Sequence, residues 1–242
     1  MRRSTFTDAA VTYAAIGGTL APDLLRYPPR GYRPLERTVR LGSGEERFRT
    51  AAALLMTWGV QIGSGMTVTD LQQGTGVQYT GIVFDADGTP SANQEHPVDE
   101  ATFADDGTPY IVNGMSARLS VAVGPFSIDS PVRVVYVIDE ADRIGFGYGT
   151  LAGHPASGEE AFIVERQADD SVWLTIRAFS RPSTWYYRLA WPIVRMQQAK
   201  FTARYLRALH PVGAPAARAP GPLADWRPVR QARECQLGFE PY

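Results

Sequence analysis

Cysteine is almost absent: Cys235 stands alone in 242 residues. No intrachain disulfide is available to staple the fold, and no multi-cysteine zinc or iron–sulfur site can be built. Histidine is scarce too. His96, His154 and His210 are scattered along the chain, so no metal centre is expected. Lysine is reduced to Lys200, and every other basic residue is an arginine. Charge of one sign is also missing. With 24 basic and 25 acidic residues the formal net charge is -1, and no long-range positive field gathers nucleic acid. No apolar run approaches the ~20 residues of a membrane span. The start, Met1-Arg2-Arg3, is followed by Asp8 rather than by the apolar core of a secretory signal. The expectation is a cytoplasmic protein with no membrane span and no nucleic-acid partner. A phosphate loop, a dinucleotide fingerprint and a serine elbow are all lacking, and no cofactor is expected.

What is present is ordinary globular material, 44% hydrophobic and 20% charged, enough to bury one sizeable core. A single domain is expected over residues 1–210. It carries an excursion at 72–115 rich in turns and acids, among them Asp99, Glu100, Asp105 and Asp106. A Pro/Gly/Ala-rich extension follows over 211–242.

Residues 9–16 read as a short helix or turn, and 32–41 alternate as an early strand. Ser43 stands three residues before Glu46, the spacing of a capping box, and opens a helix over 44–58 whose apolar face includes Phe48, Leu55 and Trp58. Strands are expected at 66–68, 77–84, 116–123, 132–138, 144–151, 160–166 and 172–179, with Pro131 opening or bending the fourth. The turns at 139–142 and 167–170 are short, which makes their strands antiparallel neighbours. A parallel sheet needs helical crossovers, and 116–180 has no room for them. Trp173, Thr175, Arg177 and Phe179 share one face of the last strand; Val172, Leu174, Ile176 and Ala178 share the other. Both carry apolar side chains, so both are expected to be covered. Ser183 can cap a short helix, and 192–209 forms a long one with Val194, Phe201, Tyr205 and Leu209 along one side. The fold class is therefore α+β: a curved antiparallel β-sheet wrapped around a long C-terminal helix, a helix-grip-like arrangement. Space left between sheet and helix commonly becomes an apolar pocket.

Three features carry candidate chemistry. Gly145, Gly147 and Gly149 fall on one face of their strand, with Phe146 and Tyr148 on the other. The glycine face is either closely packed or a pocket wall. His154 follows that strand, and Glu159 and Glu160 lie just beyond the turn. An imidazole oriented by a carboxylate serves as a general acid or base, whereas a loop histidine bonded to backbone does not. Arg177, if it faces inward, needs a carboxylate, and Glu159 or Glu160 is the simplest candidate; an anionic ligand is another. Tyr13, Tyr148 and Tyr205 can supply hydroxyls. The candidate catalytic set is thus His154, Glu159 and Glu160; the candidate ligand-binding set is Tyr13, Gly147, Tyr148, Gly149, Arg177 and Tyr205.

At several of these residues the chain resembles a known family. The elements are Thr12-Tyr13-Ala14, Gly31-Tyr32, Arg40-Leu41-Gly42-Ser43-Gly44-Glu45, Val134-Val135-Tyr136-Val137, the block from Phe146 to Glu160 with its Gly-His-Pro and Gly-Glu-Glu, Ile176 through Pro182, and Arg204-Tyr205-Leu206. Together, over roughly 6–209, they resemble DUF1990, also called UPF0548. The resemblance implies a relative of the helix-grip START/Bet v 1-like superfamily, whose members bind lipids, polyketides or other apolar small molecules and in some cases catalyse cyclisation. It carries no residue-by-residue activity. The functional expectation is binding of an apolar or amphipathic small molecule between sheet and C-terminal helix. The alternatives are a cofactor-independent cyclase, isomerase or hydrolase using His154 with Glu159 or Glu160, and a structural or protein-interaction module.

Overall fold

The computed structural model describes residues 10–73, 107–123, 126–183 and 203–210. From residue 116 onward, alternating β-branched and aromatic residues between short turns give five consecutive strands: β3 (Ser116–Val123), β4 (Phe126–Glu140), β5 (Arg143–Thr150), β6 (Ala156–Arg166) and β7 (Ser171–Pro182). Earlier in the chain, β1 (Arg33–Ser43) and β2 (Thr67–Gln72) add to the two ends. The result is one curved seven-stranded sheet in the order β1-β7-β6-β5-β4-β3-β2, antiparallel throughout. Gln72 pairs with Ser116, so the chain between them leaves and returns at one place on the sheet.

Pro131 lies inside β4 rather than at its start. Its carbonyl accepts from the Leu151 N–H at 3.0 Å, so its missing N–H faces the β5 side as well. The β5 ladder begins only at Val132↔Thr150, and no donor is needed there. The expected capping box also does not form. Ser43 ends β1, paired with Ser171, and Gly44 takes the N-cap of α1 (Glu45–Met56) at φ 94°, without a side-chain cap. That backbone corner is one glycine tolerates best. Glu45 and Glu46 occupy the first turn, where the helix dipole favours negative charge. Trp58, at φ 62°, turns α1 into α2 (Gly59–Gly63). Residues 10–17 are irregular rather than helical and lead into a 3₁₀ turn at Gly18–Leu20.

The sheet is covered on both faces. On the inner face Phe146, Tyr148, Phe162, Val164, Leu174 and Ile176 join Phe48, Ala51 and Leu55 of α1, Trp58, and Tyr205 and Leu209 near the C-terminal end in one core. On the outer face Phe179 is sealed by Tyr13 and Leu24, with Val11, Ile16 and Tyr32 packed around them. Of the expected helix over 192–209, residues 203–208 are helical. The Tyr205 ring meets Phe162 edge-on at 5.4 Å, and Arg47 donates to the Leu209 carbonyl, so this stretch is seated on the inner face. Residues 192–202, the expected strand at 77–84, His96 and Cys235 lie outside the described residues. Among the described residues no helix is long and apolar enough to cross a membrane.

Candidate functional site

Adjacent residues of a strand point to opposite faces, and β6 places Glu159 on the outer face and Glu160 on the inner one. Glu159 is 2% exposed. One of its oxygens accepts from the Tyr13 hydroxyl at 2.6 Å and the Gly17 N–H at 2.8 Å. The other accepts from the Thr19 N–H at 2.9 Å and the Thr19 hydroxyl at 2.5 Å. Tyr136 lies 2.6 Å from that same hydroxyl oxygen, which spends its proton on Glu159, so Tyr136 is the donor of the pair. Burial and the neighbouring Glu159 charge push the Tyr13 hydroxyl well above its ordinary value, and it stays protonated as a donor.

Arg177 shares this face but takes neither predicted glutamate. Its carboxylate partner is Glu36, directly opposite on β1, at 2.9 Å. Its two terminal nitrogens donate to the carbonyls of Thr19 and Ala21 at 2.7 and 2.8 Å. Glu159 and Arg177 thus hold one segment, residues 13–21, from both ends of its peptide dipoles. The glycine face lies beneath the same cover. A Cβ on Gly147 would stand 2.4 Å from the Tyr136 ring, and one on Gly149 would stand 2.4 Å from the Tyr13 hydroxyl. The room opened by these glycines is filled by tyrosine rings, which is the close-packing alternative. An open depression of about 470 Å³ beside it, lined by Tyr13, Arg30, Tyr32 and Arg181 among others, sits on the outer side.

His154 is in the β5–β6 turn. Its Nδ1 lies 2.9 Å from both the N–H and the carbonyl of Ala156, accepting from one or donating to the other according to tautomer. Burial lowers its pKa to about 4. No carboxylate among the described residues bonds to it, and the predicted grouping of His154 with Glu159 or Glu160 is not assembled. The turn backbone captures the ring first.

The inner face holds a different cluster. The Tyr148 hydroxyl donates to Glu160 Oε2 at 2.6 Å. Desolvation raises the Glu160 carboxyl to about 7, against which this hydrogen bond pulls down. Tyr205 feels the Glu160 charge, and burial pushes both tyrosines well up. Trp58 stacks on Tyr148 with ring centres 6.3 Å apart. One helical turn on, Gln61 is fully buried and offsets a little of the rise at the Tyr148 hydroxyl, so it sits close by. Yet neither Gln61 Nε2 nor Gln61 Oε1 has a hydrogen bond of normal geometry, and Trp58 Nε1 has none either. Of the predicted set, Tyr148, Tyr205 and Glu160 come together here; Tyr13, Gly147, Gly149, Arg177 and Glu159 gather on the far side of the sheet. Among the described residues no three His, Cys, Asp or Glu side chains are placed to share a metal ion.

The model of a domain of unknown function, DUF1990, matches residues 12–88 and 93–208. The chain belongs to the DUF1990 family. Its curated relatives include UPF0548 proteins from Deinococcus radiodurans, 47% identical over 77 residues (32% of this chain, 39% of the relative), and Dictyostelium discoideum, 33% identical over 175 residues (67% of this chain, 64% of the relative). The chain therefore matches less than two thirds of the length of either relative. Among solved structures it overlaps a hypothetical protein from Helicobacter pylori (TM-score 0.44, 9% identity, 83% of this chain and 94% of that one). It also overlaps a START superfamily protein from Mycobacterium smegmatis (TM-score 0.33, 13% identity, 72% and 97%). These two likenesses are too loose to bear on what this DUF1990 chain does.

Sequence reasoning passes over Trp58 and Gln61. It counts Trp58 as one more apolar residue of a helix face and makes nothing of Gln61. The signal was available in Trp58-Gly59-Val60-Gln61-Ile62, where a glutamine interrupts an apolar run one helical turn after a tryptophan.

Proposed function

We propose that the protein binds an amphipathic small molecule on the inner face of the sheet, between β5–β6 and the helices, with its polar end at Gln61, Trp58 and Glu160. One observation carries this reading: the Gln61 amide and the Trp58 indole N–H are buried against an apolar core with no hydrogen bond of normal geometry. A buried amide left unpaired costs about 1–3 kcal/mol, and natural cores pair such groups with protein, water or ligand. Trp58 is moreover held at φ 62°, a conformation that bulky residues adopt only when their surroundings impose it. Two costly features on adjacent turns, both beside the Tyr148 side chain whose hydroxyl bonds Glu160, support a polar end to an otherwise apolar site. Native mass spectrometry of gently purified protein tests this. A bound organic mass that is lost in the Gln61→Leu variant is expected; a bare chain in the wild type contradicts it.

A second reading is favoured by the Glu160 carboxyl. Raised to about 7 and bonded to Tyr148, it suits general acid–base work near neutral pH. In a cofactor-independent cyclase or isomerase of this design Glu160 takes the role, without His154. A ligand recovered chemically altered after incubation with wild type but not with Glu160→Gln would favour it over simple binding.

A further inference from the structure

We propose that the open depression on the outer side, beside the N-terminal segment, is a second binding site, and that it takes a phosphate monoester on a small apolar body. It lies across the sheet from Glu160 and stands independently of the small-molecule reading above.

Two cations line the depression, and no Asp or Glu does. Arg30 follows the Pro28-Pro29 pair and Arg181 stands near the end of β7; Val11, Thr12, Pro29 and Tyr32 belong to the same wall. Both arginines are exposed, so a solute reaches them from outside. Arg181 has a fixed support. Its guanidinium carbon lies 4.5 Å from the centre of the Tyr32 ring, within cation–π reach. Tyr32 is itself held from two directions: its hydroxyl is 3.1 Å from Ser157 Oγ, and its ring meets Phe179 edge-on at 5.4 Å. Gly31, at φ 84°, leaves bare the space where a Cβ would stand 3.9 Å from Arg181 Nη1. The Arg181 head group therefore lies over the residue that follows Arg30.

Neither cation pairs with a carboxylate among the described residues. Arg49, Arg118, Arg143, Arg166 and Arg177 all do. Glu159, which Tyr13 of the same wall reaches with its hydroxyl, has both oxygens taken by residues 13–19, and Glu36 is held by Arg177. Two like charges on one wall repel, and an anion placed between them removes that cost. A guanidinium offers N–H donors in a planar fork that matches phosphate oxygens two at a time. Two of them balance a phosphate monoester, whose charge nears -2 above its second pKa of about 6. The volume, about 470 Å³, falls in the range of small-ligand sites, and Val11, Pro29 and Tyr32 offer apolar surface to the rest of the molecule. A cationic guest would meet two guanidiniums and no carboxyl.

Calorimetric titration of the full chain at pH 8 with phenyl phosphate, inorganic phosphate and neutral benzyl alcohol tests the proposal. Phenyl phosphate is expected to bind about tenfold tighter than inorganic phosphate, through burial of its ring. Arg30→Ala and Arg181→Ala are each expected to weaken phenyl phosphate about tenfold, the loss of one charge-assisted pair, and added salt to weaken it in the wild type. Both side chains are exposed, and an unchanged thermal midpoint checks that each variant keeps the fold. Any binding of benzyl alcohol is expected to ignore both substitutions. Phenyl phosphate that fails to bind, or that neither substitution weakens, would overturn the site. Alcohol and phosphate losing affinity alike would overturn the anion assignment, and inorganic phosphate binding as tightly as phenyl phosphate would overturn the apolar body. Each of these outcomes leaves the inner-face reading standing.

Discussion

Glu159 and Glu160 are neighbours in sequence and opposites in role, because a strand turns successive side chains to opposite faces. Glu159 is fully satisfied: four donors from residues 13–19 close on its two oxygens. Removing it leaves two backbone N–H groups and two hydroxyls without their acceptor under a sealed cover. Glu159→Ala is therefore expected to cost about 3 kcal/mol, read by urea denaturation, and to make the segment around residues 10–21 newly sensitive to protease. A loss below about 0.5 kcal/mol with no new cleavage would show that this carboxylate does not hold the segment. Glu160 is less satisfied, with one oxygen bonded and no cation among the described residues paired with it. Gln61 and Trp58 likewise lack side-chain hydrogen bonds of normal geometry. That contrast distinguishes a residue that holds the fold from one available to a ligand.

At the scale of elements, β5 shows how glycines serve packing. Gly147 and Gly149 admit the rings of Tyr136 and Tyr13 against the bare backbone. Gly147→Ala drives a methyl into the Tyr136 ring and is expected to cost about 2 kcal/mol. In a double-mutant cycle with Tyr136→Ala most of that cost should vanish, whereas strict additivity would mean that the ring does not fill the space. Strand positions were legible in the sequence because alternation and short turns act locally: β3, β5, β6 and β7 lie where the period of two puts them. The face assignment of Trp173 through Phe179 follows from the same period. What covers each face was not legible. Residues 13–21 reach the outer face across more than a hundred residues of chain, and nothing local in Thr19 or Gly17 announces a bond to Glu159. Arg177 pairs with Glu36 because β1 lies beside β7, a neighbour relation the sequence does not print. The capping box failed for a local reason: Gly44, with a backbone freedom that Ser43 lacks, made the corner.

For the molecule as a whole, the sheet separates two kinds of chemistry. Its outer face is closed by the Glu159 and Arg177 contacts to the N-terminal segment. Against its inner face lie a carboxyl from β6, an indole N–H from the corner between α1 and α2, and an amide from α2. The account requires that the inner cluster be the place where a guest sits, and the protonation of Glu160 reports it. A folded-state pKa raised above the unfolded one means that folding favours the protonated carboxyl, so Glu160 opposes stability as pH climbs from about 4.5 to about 7. Carboxyl-carbon NMR of Glu160, followed against pH in the free protein, measures this most directly. The account predicts a midpoint near 7; a Glu160 that titrates at its ordinary carboxylate value would contradict it.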